Sequence, residues 1–231
     1  MPNFDIILML TILAITMVLF VSEKLRPDVA ALALFLTFAA FMNAFGMVVP
    51  AHAPEAWLGA VLGTTSAPVV VGTLFLAGVI LIPSVLVGAT ARLSALLSAS
   101  GRTVVEEATR YAYALVPLGF GMWVAHYLYL FLIGGMSIIP ATQEYMADLG
   151  LPFLGSATWT HGPMVPDSWL LPLEIFFLEL GLLASLVVAF RIAQRELGPG
   201  RRALRGALPW GALAIILSAL GIWVLLQPME M

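Results

Sequence analysis

Asn43, His126, Glu174 and Glu179 are polar side chains set inside long apolar runs. A carboxylate at mid-bilayer costs about 3 kcal/mol on insertion scales, so such a group turns towards protein, water or a cofactor, or carries a proton. His126 stands in "GFGMWVAHYLYLFLIGG", residues 119–135. An imidazole there has three possible chemistries: a buried hydrogen-bonding group, a quinone-side or proton-carrying residue, or an axial ligand to a haem or metal. The rings of Trp123, Tyr127 and Tyr129 around it suit all three and also suit ordinary packing.

Helical rise sets approximate depths. His126 lies about 12 Å from Gly134, Asn43 about 10 Å from Pro50 and Glu174 about 9 Å from Ser168, so the three share one layer near the same ends of their helices. Glu179 is deeper, about 18 Å from Asp167 and close to the bilayer centre. Five residues separate the two glutamates, which puts them about 140° apart around a helix. One of them can meet His126 while the other contacts a second neighbour. The candidate cofactor-binding residues are therefore His126, Glu174, Asn43 and Trp123, with Glu179 as a proton-path residue. His52, His161, Met47, Met122 and Met164 add imidazole and thioether, a donor set suited to Cu(I), but without Met-x-x-Met or His-x-His spacing.

The surroundings of these residues are those of a membrane protein. The chain has 231 residues, 61% hydrophobic and 10% charged, with a mean hydropathy of +1.04. Soluble domains carry about 25% charged residues. The formal charge is −3 and there is no cysteine. No basic surface points to nucleic acid, and thiolate-bound iron–sulfur clusters, cysteine-ligated zinc and covalently attached haem are excluded within this chain.

Six apolar segments reach the roughly 20 residues a bilayer requires. They lie near 4–22, 29–49, 69–91, 108–134, 169–190 and 207–227. The expected fold is an all-α, single-domain bundle of six transmembrane helices. The first segment lacks a basic n-region and a small-residue cleavage site, and reads as a retained span. Every Lys and Arg falls in the first, third or fifth turn, from Lys24 to Arg205. By the positive-inside rule those turns are cytoplasmic and both termini lie on the outer, periplasmic side.

Local signals refine the picture. Asp28 is placed to cap the second span after Arg26-Pro27. "TVVE" at Thr103–Glu106 is a capping box, with Glu106 four residues before Arg110. It predicts a helix of about 30 residues continuing into the fourth span. Pro83 and Pro117 predict kinks. Residues 50–68 predict a short interfacial helix with Pro54 in its first turn. The long segment 136–168 predicts a helix near 141–149 ended by Gly150, and a partner-docking loop. Trp169, Trp210 and Trp223 sit at predicted span ends, where amphipathic rings belong.

Two resemblances bear on function. "VSEKLRPDVAALAL", residues 21–34, looks like the first hairpin of sodium-coupled divalent-anion symporters and arsenite permeases. "NAFGMVVP", "RYAYALVPLGFGMWVAHYLYLF", "WLLPLEIFFLELGLL" and "GIWVLLQPMEM", within residues 41–231, resemble the membrane part of polyferredoxin-type electron-transfer proteins, without their Cys clusters. The second resemblance implies a membrane subunit or anchor of a respiratory or photosynthetic electron-transfer complex in a bacterial inner membrane. A quinone or haem would be shared with partner subunits, and the chain would hold no complete active site. A proton-coupled ion or small-anion transporter and a purely structural scaffold are the alternatives.

Overall fold

A computed structural model describes residues 26–160 and 162–228. The predicted span 4–22 with Lys24, the side chain of Asp28, and His161 lie outside the described residues.

The described chain is helical and without strands. α1 (Arg26–Phe45) leads through a 3-10 turn at Val49–Ala51 into α2 (His52–Leu62). α3 (Ala67–Leu76), a π-helical stretch at Ala77–Leu81 and α4 (Ile82–Ser98) join into one continuous rod. α5 (Val104–Tyr111) precedes a 3-10 turn at Ala112–Ala114 and α6 (Val116–Gly134). A 3-10 turn at Gly135–Ser137 leads to α7 (Ile138–Asp148), and α8 (Asp167–Leu197) and α9 (Arg201–Leu225) complete the bundle.

Among the described residues, four helical stretches are long and apolar enough to cross a membrane: Ala67–Ser98, Val116–Asp148, Asp167–Leu197 and Arg201–Leu225. They contain the predicted spans 69–91, 108–134, 169–190 and 207–227, apart from the ends at 108–115 and 226–227. The predicted span 29–49 corresponds to α1, whose apolar part, Val29–Phe45, is shorter. The short helix expected in 50–68 is α2, ended by Gly63 at φ 64°. The helix expected near 141–149 is α7, followed by Gly150 at φ 74°. Glycine adopts that left-handed conformation without the steric cost of a Cβ.

The two prolines act differently. Pro83 lacks the N–H that would pair with the carbonyl four residues back, and the rod widens to π geometry at Ala77–Leu81 without breaking. The Ser84 hydroxyl takes up the Ile80 carbonyl at 2.6 Å. Pro117 divides the expected 30-residue helix into α5 and α6, with a tight turn between them. The single long helix is thus corrected to two. The Leu118 amide at the start of α6 finds a partner across the bundle, donating to the Ser185 hydroxyl of α8 at 3.0 Å.

The core lies among α1, α6, α8 and α9, with α4 laid against α9. Leu115, Leu118, Met122, Leu178 and Trp210 are fully buried there. Small residues let the backbones approach, as is usual where helices pack in lipid. A Cβ on Gly121 would fall 2.7 Å from the Phe177 carbonyl, and one on Gly181 would fall 2.6 Å from the Pro117 carbonyl. Gly119 sits equally close on Thr37 of α1.

Candidate functional site

α6 and α8 run antiparallel, and their contacts fix the register. Leu118 bonds Ser185, and Gly121 meets Phe177 and Gly181. Stepping along α6 from that crossing brings His126 to the level of Glu174. α1 runs parallel to α6 with Thr37 on Gly119, which places Asn43 at the level of Ala125.

Within this layer the side chains have different surroundings. His126 is 1% exposed and Glu174 3%. Neither imidazole nitrogen of His126, nor Oε1 of Glu174, has a hydrogen-bond partner among the described residues. The His126 ring stands edge-on to Tyr127 at 5.4 Å, with the fully buried Met122 one turn earlier. Asn43 is half-buried. Two titratable groups thus occupy facing helices at one depth, sealed from solvent and unsatisfied. Burying a polar atom without a partner costs about 1–3 kcal/mol.

Trp123 is separate from this pair. It is half-exposed, stacks on Phe120 at 6.1 Å and meets Tyr127 at 5.1 Å. It lines an outer groove of about 460 Å³ between α1 and α6, walled by Leu32, Leu36, Val116 and Phe120. The four candidate cofactor-binding residues therefore do not form one pocket. Glu179 turns away from Glu174 towards α9, where it accepts from the Ser218 hydroxyl at 2.8 Å.

Among the described residues, no group of three or more His, Asp or Glu side chains is placed to hold a metal ion. His52 is bonded to Glu55 at 3.1 Å. Met122 is buried in the core, while Met164 packs on Gly135.

A second polar cluster, at the basic end of the bundle, was not legible in the sequence. Glu107 is fully buried, with the Ser94 hydroxyl 2.8 Å from its carboxylate and Arg102 at 3.6 Å. Ser94 is also 2.8 Å from the Gly206 carbonyl, linking α4, α5 and α9. Arg102 and Arg110 both reach Glu196 on α8. Arg110 thereby bonds Glu196 in place of the expected Glu106. Glu106 completes the predicted capping box instead, accepting from the Thr103 amide at 2.9 Å. That backbone bond, aided by the Thr103 hydroxyl, holds the exposed Glu106 carboxyl below its ordinary range. The one sequence signal for the cluster was the adjacency of Glu106 and Glu107 on an amphipathic turn, which puts one of them inward.

No family model, curated protein or solved structure matches the chain, so the chemistry of the site rests on its own geometry.

Proposed function

We propose that the chain is an integral-membrane subunit of a larger electron-transfer assembly, anchoring its partners and offering apolar grooves to lipid or quinone, with no complete active site of its own. In this reading it crosses a bacterial inner membrane six times, with both termini outside and the segment 136–168 docking partner subunits. The observation that carries it is the direction in which the helices face. The most apolar windows of the four long helices are only between 17% and 50% buried within the chain, while His126 and Glu174 are sealed inside. Outward apolar faces on that scale call for lipid, isoprenoid chains or partner helices. The groove beside Trp123 is of the same kind. The test is purification from native membranes in mild detergent, with visible spectroscopy and quinone analysis. Co-purifying redox subunits with quinone are expected. A colourless protein free of partners and quinone overturns the reading.

A second reading, a proton-coupled transporter of an ion or small anion, draws on the unpartnered His126 and Glu174 and on Glu179 bonded to Ser218. Intramembrane carboxylates and imidazoles are the usual parts of proton relays. Flux in proteoliposomes that disappears in Glu174→Gln and Glu179→Gln would favour it. Absence of flux in the wild-type protein removes it.

A further inference from the structure

We propose that the groove between α5 and the C-terminal half of α8 is a binding site for an anionic phospholipid. The groove has a volume of about 680 Å³. One wall is apolar, made by Val105, Tyr113, Val188 and Ile192, and its rim carries Arg110 and Arg195. Val105 is 72% exposed, so its apolar surface is free for an acyl chain to cover. An acyl chain laid on this wall brings a phosphodiester to the Arg195 guanidinium, unpaired among the described residues, with Arg110, already bonded to Glu196, beside it.

Charge decides which headgroup fits. The segments 92–110 and 191–205, which meet at this end of the bundle, carry eight arginines against three glutamates. The two glutamates lining the groove are already engaged: Glu106 with the start of its own helix, and Glu196 with Arg102 and Arg110. Arg195 is exposed and has no ion pair among the described residues. The opposite end is different, because segments 50–68 and 135–168 carry four carboxylates and no Lys or Arg. A zwitterionic headgroup would set its cation against this rim, whereas a net-negative one is attracted by about 1 kcal/mol per nearby Arg. The inference needs only the membrane-spanning helices and does not depend on the electron-transfer reading.

The test is native mass spectrometry of the purified full-length protein in detergent, titrated with dioleoylphosphatidylglycerol and separately with dioleoylphosphatidylcholine. Wild-type protein is expected to retain phosphatidylglycerol preferentially. Arg195→Gln should lower that preference by about fivefold, and Arg195→Lys, which keeps the charge without the bidentate fork, should fall between the wild type and Arg195→Gln. Arg92→Gln, at the same end but outside the groove, should leave it unchanged, and Val105→Gln should weaken retention of both lipids. Equal binding of the two lipids, an unaltered preference in Arg195→Gln, or an equal loss in Arg92→Gln overturns the proposal. Displacement of the lipid headgroup preference by inorganic phosphate alone would show a bare anion site and also overturns it.

Discussion

At the scale of single residues, the buried polar groups divide into satisfied and unsatisfied ones. Glu107 is satisfied on one side by Ser94 and faces Arg102 on the other. Glu107→Gln removes a fully buried carboxylate that faces Arg102, which keeps Glu196 as its partner, and should cost about 1–3 kcal/mol, seen as a lower unfolding temperature in detergent. His126 and Glu174 behave in the opposite way. Their unpartnered atoms burden the fold, so His126→Leu and Glu174→Met should leave stability unchanged or raise it by about 1 kcal/mol. Loss of stability in both variants would show instead that the pair holds the helices together. Glu106 gives a pH dependence with a definite sign. Its carboxyl is depressed in the folded protein below the ordinary 4.5, so its contribution is present above that pH and fades as pH falls through the folded value. Amide protection over residues 104–107 should follow this course, and Glu106→Gln should flatten it.

At the scale of elements, the α6–α8 crossing depends on two glycines whose replacement has nowhere to go. Gly121→Ala or Gly181→Ala drives a methyl group into backbone at 2.7 or 2.6 Å, and each should destabilise by about 1–3 kcal/mol. Gly72→Ala in α3 is the control, because nothing lies within 4 Å of the added carbon. It should be neutral or slightly stabilising in thermal unfolding, through helix propensity. Helix ends and turns were legible in the sequence because they rest on local chemistry: Gly150 and the Thr103 capping box act within one turn of chain. Proline was only half legible. The ring at Pro83 and the ring at Pro117 remove the same hydrogen bond, yet one widens a helix to π geometry and the other divides it. Beside Pro83 the Ser84 hydroxyl bonds the Ile80 carbonyl of the same helix, and beside Pro117 the Leu118 amide donates to Ser185 across the bundle.

For the whole molecule, the basic and acidic ends make orientation measurable. The chain has no cysteine, so single replacements report cleanly. Thr65→Cys at the acidic end and Pro199→Cys at the basic end, both exposed, should react with impermeant maleimide from opposite sides of sealed vesicles, Pro199→Cys from the cytoplasmic side. Labelling of both from one side would refute the membrane-spanning order of the intervening helices. By itself the sequence determined the class, the approximate helix positions and the segregation of charge. These follow from hydropathy, helical rise and loop composition, which are additive along the chain. It also gave the expectation that Asn43, His126 and Glu174 share one layer, since distance along a helix is a count of residues. The tertiary structure alone decided which way those side chains turn. It brought His126 and Glu174 inward on facing helices, sent Trp123 to an outer groove, and gave Arg110 to Glu196 in place of Glu106. Rotation about each helix axis is set by where backbones can approach, here at Gly119, Gly121 and Gly181, and that is a property of pairs of helices which no single segment carries.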